Sequence, residues 1–441
     1  MAKKEKVKKP KKTAKQRLKT LGKVLLIILA VIAVIGIIIA VLNAVNNKSV
    51  RNFISESISP VEYTEQLKPE LGEDGYYTFT TDRDFKVLQL TDVHIGGGTM
   101  SAKKDLMAIN AVAAMVTAEK PDLVVVTGDV AYPVPFQSLT FNNKNGAVTF
   151  AQLMEKLGVY WCLCYGNHDT EAYSFYSRRQ ISDKIYCDKE AYPHCLFQKG
   201  PDEVDGYGNY VVNVKNSLGQ ITQSLFMIDS HSYTDGDYFG IQWKYDAIHE
   251  NQVQWYKDTV AALTEENAGI RPKSLGFFHI PLAEESDAFD EYRKAGEKDT
   301  ENVKYQYGLI GEGDFVICAS KYNNGMFDAF KENGTQAIFF GHDHLNNLSV
   351  VYKGVQMTYG MSVDYLAYPG IYKYGLQRGC TVITVKPDGS IDTVAENYYQ
   401  DKYQSVNEKE SVDLDHQMSE VEDTAGAVFD FQKDNNNGKE E

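Results

Sequence analysis

The chain has 441 residues, 43% of them hydrophobic and 24% charged, with 45 basic and 60 acidic side chains and a formal net charge of −15. That composition suits a globular protein able to bury a sizeable core. The acidic balance argues against general DNA or RNA binding, and six cysteines without a CxxC pair argue against a zinc ribbon.

Residues 1–23 hold eleven Lys or Arg and one acid, and residues 24–42 follow as nineteen positions with no charge. As a helix this run is about 29 Å long at ~1.5 Å per residue, close to the ~30 Å hydrocarbon core of a bilayer. A cleavable leader usually has a shorter apolar region followed by a small-x-small site, and Leu42-Asn43-Ala44 matches that poorly. The expectation is an uncleaved single-pass anchor. Only Lys48 and Arg51 follow the span closely. The positive-inside rule then puts the basic tail in the cytoplasm and the rest outside the cell membrane, with the lysine run against anionic lipid. Without the tail, 34 basic residues face 59 acidic ones, a net charge of −25.

Residues 43–73 are polar without a clear apolar period and read as a stalk. A domain is expected over 74–404. Strands are predicted at 85–90, 123–127 and 159–164, with helices at 103–118 and 149–157 between them. This β-α-β-α-β alternation predicts an α/β sheet with helical crossovers. Further strands are predicted at 210–214, 224–228, 275–278 and 337–340, with a helix at 252–263. The runs 350–357 and 380–385 are expected to close a sheet. The acidic, Asn-rich segment 405–441 is expected to be disordered. Cys162 and Cys164 lie on one face of a strand and cannot bridge, whereas Cys187 and Cys195 are a candidate disulfide if the domain is outside the cell.

Five predicted strands end in metal-ligand residue types: Asp92 and His94, then Asp129, then Asn167 and His168, then His279, then His342 and His344. Ligand sites of open α/β sheets gather at the carboxyl ends of strands. One such histidine is usually structural; five mixed with Asp and Asn point to metal chemistry. Imidazole and carboxylate together suit Mn, Fe or Zn. One Asp can bridge two ions, and such a pair can hold a hydroxide and clamp an in-line displacement at phosphorus. Two divalent ions also make the pocket locally positive, which admits a phosphate into an acidic domain. Asp229-Ser230-His231 could border this pocket. Gly96-Gly97-Gly98 lacks the GxxxxGK[ST] pattern of a phosphate cradle and reads as a flexible loop. His194, His249 and His416 read as surface or structural residues.

Asp92-x-His94, Gly128-Asp129, Gly166-Asn167-His168-Asp169, His279 and Gly341-His342-Asp343-His344 resemble, in order, the motifs of the calcineurin-like metallophosphoesterases, over roughly residues 84–398. The stretches Phe277-Phe278-His279-Ile280-Pro281-Leu282 and Tyr322-Asn323-Asn324-Gly325-Met326-Phe327-Asp328 resemble the branch named for purple acid phosphatases. Classical purple enzymes have a Tyr iron ligand near the first motif; Asp-x-His stands here, so no purple colour is expected. The resemblance implies a four-layer αββα sandwich with two divalent or mixed-valence ions. It assigns Asp92, His94 and His344 to one metal, Asn167, His279 and His342 to the other, and Asp129 to both. His168 is implied as a catalytic histidine that binds no metal, oriented by Asp169. The expected activity is hydrolysis of phosphate esters on a small molecule, a lipid or a wall polymer. A phosphodiesterase preference and a non-catalytic binding module on the same fold are the alternatives.

Overall fold

The computed structural model describes residues 13–403 apart from residue 235, residues 369–370 and residues 372–377. Most of the basic tail and the segment 405–441 with His416 lie outside the described residues. The first element is one unbroken helix, Ala14–Ser57, opened by a capping box between Thr13 and Gln16. The apolar run 24–42 is unburied along its length. Residues 43–57 correct the stalk expectation. They continue the helix and bury Asn43, Asn47, Val50 and Ile54 against the domain. The apolar period that a stalk would lack is present in Val50 and Ile54, four apart on one face.

Fourteen strands follow among the described residues. The first seven are β1 Glu70–Leu71, β2 Tyr77–Thr80, β3 Phe85–Leu90, β4 Leu123–Thr127, β5 Trp161–Cys164, β6 Tyr210–Lys215 and β7 Ile221–Met227. The others are β8 Lys273–Phe277, β9 Val303–Tyr307, β10 Thr335–Phe340, β11 Ser349–Tyr352, β12 Val355–Tyr359, β13 Gly379–Val385 and β14 Ile391–Tyr398. They form a nine-stranded sheet, β1-β2-β6-β7-β8-β10-β12-β11-β9, and a five-stranded sheet, β14-β13-β3-β4-β5. The run 350–357 is two strands instead of one. Lys353 and Gly354, at φ +48° and +93°, make the tight turn between β11 and β12, a conformation that suits a two-residue hairpin.

Period-two alternation explains the layers. Leu225, Met227, Leu275, Phe277, Ala337 and Phe339 face the core shared with β3, β4 and β5. Their neighbours Phe226, Ile228, Ile338 and Phe340 face a second core with Tyr256 and Phe330 of the helices Glu250–Glu266 and Met326–Glu332. The five-stranded sheet is covered on its far side by Ala102–Glu119 and Asn143–Leu157. Helix, sheet, sheet and helix thus stack as the expected αββα sandwich. Adjacent β3, β4 and β5 run parallel, as do adjacent β8 and β10, so their five carboxyl ends converge. An isolated bridge between Thr91 and Ser362 joins the two sheets at that edge.

Candidate metal centre

Three of the strands, β3, β4 and β10, deliver candidate ligands by an abrupt turn. Asp92, His94, Asp129 and His342 have φ of +51°, +52°, +53° and +80°, which costs a non-glycine residue of order 1–3 kcal/mol and persists where surroundings over-determine it. The surroundings do so here: Asp92 N–H donates to Gly128 O at 3.1 Å and His94 N–H to Asp129 O at 3.0 Å. Gly128 has φ +92°, and a Cβ there would lie 2.5 Å from the His279 ring. A side chain at Gly341 would likewise collide with Thr91 and Asp92. Both glycines are what lets the ligand-bearing loops close together.

The structure brings all seven expected ligands into one buried cluster. Asp129 Oδ2 lies 3.3 Å from His94 Nε2 and 3.2 Å from His279 Nε2. His279 Nε2 is 3.1 Å from Asn167 Oδ1 and 3.3 Å from His342 Nδ1. His344 Nε2 is 3.4 Å from Asp92 Oδ1, and His94 Nε2 is 3.9 Å from the same atom. Two donors at ~2.0–2.1 Å from one tetrahedral ion stand about 3.3 Å apart, so these spacings fit shared coordination. Asp92 Oδ1 and His342 Nε2 are buried without a hydrogen-bond partner among the described residues, which is unfavourable unless something else meets them. Asp92, His94, Asp129 and His344 alone place one ligand atom each within 4.8 Å of one another. The residues therefore fit a metal-binding site, with Asp129 reaching toward both histidine groups.

Electrostatics agrees. Burial opposes ionisation of Asp129, but His279 and His168 hold its pKa well below the carboxylate range. Asp92 is lowered by His344 and His279 against the same penalty. Burial depresses His279, yet Asp129 pushes it up to about 9, so binding a cation there displaces a proton. Burial and His279 together hold His342 well below the usual imidazole value.

His168 lies beside the cluster, its ring edge-on to His94 at 5.6 Å and to Tyr132 at 4.8 Å. Its Nδ1 meets Glu171 Oε1 at 2.7 Å. This corrects the expected partner, Asp169. That carboxylate accepts instead from the backbone N–H groups of Gly166, Asp129 and Ala131 at 2.8, 3.0 and 2.8 Å. A carboxylate at the start of a tight turn satisfies nearby N–H groups more readily than it reaches the next side chain.

Asp364 escaped the sequence reading. Its Oδ1 lies 3.3 Å from His94 Nδ1 and its Oδ2 3.4 Å from His344 Nδ1. The signal was the same as for the ligands, an Asp just past a strand, but β12 was hidden inside one predicted run. Ser230 supports His279, its Oγ accepting from His279 N–H at 3.2 Å and Ile280 N–H at 2.9 Å. Asp229 pairs with Arg178. His231 turns away toward Gln252 and His249, its Nε2 2.8 Å from Gln252 Oε1. The Gly96–Gly98 loop is pinned instead of flexible. Asp105 accepts from Gly96 N–H and Gly97 N–H at 2.9 and 3.0 Å, and Asn47 donates to Gly97 O at 2.7 Å. His194 pairs with Glu155 and His249 with Asp205. All six cysteines are free thiols, Cys187 and Cys195 included.

The family model described as calcineurin-like phosphoesterase matches residues 85–346. The chain is similar to "Probable inactive purple acid phosphatase 29" of Arabidopsis thaliana, 28% identical over 74% of this chain and 82% of that protein. It is similar to "Probable inactive purple acid phosphatase 14" of the same plant, 27% identical over 72% and 80%. "Phosphatase DCR2" of Saccharomyces cerevisiae is 29% identical over 61% of this chain and 45% of that protein.

Proposed function

The chain belongs to the calcineurin-like phosphoesterase family, and from that premise we propose that it is a membrane-anchored hydrolase of phosphate esters. The observation that carries this is the buried set Asp92, His94, Asp129, Asn167, His279, His342 and His344, with neighbouring donor atoms 3.1–3.4 Å apart across most of the set.

When bound there, two ions supply Lewis acidity toward a phosphoryl oxygen and make water nucleophilic at neutral pH. Asp92, His94 and His344 would hold one and Asn167, His279 and His342 the other, with Asp129 available to both. Asp364 stands 3.3 and 3.4 Å from the Nδ1 atoms of His94 and His344, which leaves each Nε2 for the centre. His279 is fixed in the same way by Thr127 O, 2.8 Å from its Nδ1. His168, a quarter exposed and held by Glu171, stands where it can give a proton to the departing oxygen. Its own backbone N–H donates to Asp129 Oδ1 at 2.8 Å, so the proton donor and the shared carboxylate move together.

Two plant relatives are named as inactive. The full ligand complement here supports turnover as the reading for this chain. The helix run 24–42 serves as the anchor. In its favour, the helix passes without a break into Asn43, Asn47, Val50 and Ile54, which belong to the packed domain, an arrangement that cleavage after a leader would cut apart. Positive-inside orientation puts the domain outside the cell.

The test is metal content with activity on the full chain in detergent, using an aryl phosphate monoester and the matching diester with and without chelator. About two metals per chain and chelator-sensitive turnover support the proposal, and the monoester-to-diester ratio sets the substrate class. Asp129→Asn is expected to lose both metal and turnover. A folded, metal-free, inactive protein overturns the proposal in favour of a binding module.

A further inference from the structure

Leu42, the last residue of the apolar run, precedes Asn43, and Asn43 is already part of the domain. Its Nδ2 donates to Leu139 O at 2.9 Å, and its Oδ1 accepts from Thr99 N–H and Oγ at 2.7 and 2.6 Å. One turn on, Asn47 holds Gly97 O. No linker separates the span from the loops that follow His94 and Asp129.

Those loops, and the one that follows His168, carry large exposed apolar side chains. Met100 is 55% exposed, Phe136 88%, Phe141 42% and Phe175 65%. They form one patch. Met100 N–H donates to Ser138 O at 3.3 Å, Phe175 N–H donates to Phe141 O at 2.9 Å, and the Phe141 and Phe175 rings are 6.1 Å apart. The patch borders the metal centre. Tyr132, stacked on His94 at 4.5 Å, is four residues before Phe136, and Glu171 is four before Phe175. Four residues span at most about 14 Å.

Charge is segregated in the same place. Segments 43–55, 93–104 and 130–154 contain no Asp or Glu, although the chain beyond its tail has a net charge of −25. They contain Lys48, Arg51, Lys103, Lys104 and Lys144. Contiguous exposed apolar groups mark an interaction surface, and apolar tips beside basic segments, with the Asp169 and Glu171 that precede Phe175 buried, suit a headgroup layer.

We propose that this rim docks onto the lipid bilayer beside its own membrane span, so that the metal centre opens at the headgroup level. The proposal rests on reading 24–42 as a span. An aqueous substrate would reach such a site from the side, whereas a phosphate carried on a lipid would be presented to it directly.

The test is photocrosslinking of the full chain in vesicles of phosphatidylcholine and phosphatidylglycerol. Benzoylphenylalanine replaces Phe136, Phe175 or, as a control, Leu218, which is 89% exposed and precedes the amino end of β7, away from the ligands. Lipid adducts at 136 and 175 with none above background at 218 support the proposal. Vesicle-bound protein with equal labelling at all three positions overturns it while leaving the span intact, and so does crosslinking of 136 or 175 to a second copy. Protein that washes off the vesicles at alkaline pH overturns the span itself. The readout needs no turnover, so it is independent of whether the centre hydrolyses phosphate.

Discussion

Nδ1 of His168 and Oε1 of Glu171 are 2.7 Å apart, just after the candidate ligand Asn167. The contact fixes which ring nitrogen carries a proton and aims Nε2 outward. His168→Ala is expected to keep its metal and lose about 10²–10⁴-fold in kcat. Glu171→Gln is expected to lose about 10–100-fold, the usual effect of removing a partner that orients a functional histidine. Asp169→Asn should act on stability instead, costing about 1–3 kcal/mol through its three backbone donors. Kinetics with metal analysis, and urea unfolding for the third variant, check these outcomes. A metal-free His168→Ala would make His168 a ligand.

Asp364 touches two histidines of the same centre through their far nitrogens. Its Oδ1 further accepts from Leu366 N–H and Ala367 N–H at 2.6 and 2.8 Å. Asp364→Asn is therefore expected to weaken metal binding about 10–100-fold, measured by competition with a chromophoric chelator. Unchanged affinity would reduce Asp364 to a turn residue.

The ligands were legible because each follows a strongly apolar strand, and strand ends in parallel α/β sheets converge regardless of loop detail. Asp364 obeys the same rule, but the turn at Lys353-Gly354 between two apolar strands gives little compositional signal. Glu171 could not be told from Asp169 by spacing, because the choice depends on the turn conformation that points one carboxylate at backbone and the other at the ring. The helix past Leu42 was hidden by polarity. Asn43 and Asn47 read as solvent-facing, yet they are buried through bonds to Leu139, Thr99 and Gly97, partners close to a hundred residues away in the farthest case.

That buried continuation predicts a stability effect where a stalk would show none. Ile54 is 2% exposed in the main core. Ile54→Ala in the full chain should cost about 2–5 kcal/mol, against within about 0.5 kcal/mol for an exposed linker residue. Urea unfolding in detergent, followed by the fluorescence of the buried Trp161, measures the difference. No change would restore the stalk reading.

Glu285, in the first turn of the helix Ala283–Lys294, is fully buried, and neither carboxyl oxygen has a hydrogen-bond partner among the described residues. Burial, with Asp343 adding repulsion, pushes its pKa from 4.5 up to about 8. The folded state thus holds a proton that the unfolded chain has released between those values. Stability is greatest below pH ~4.5 as far as this group is concerned, and falls as pH rises to about 8, by at most ~1.4 kcal/mol per pH unit. Glu285→Gln removes the titration without much change in size. The variant is expected to gain on the wild type from pH 6 to about 8 and to level off above that in denaturant unfolding. Parallel pH profiles would mean that Glu285 is ionised in the folded protein, with its charge met by a group beyond the described residues or by solvent.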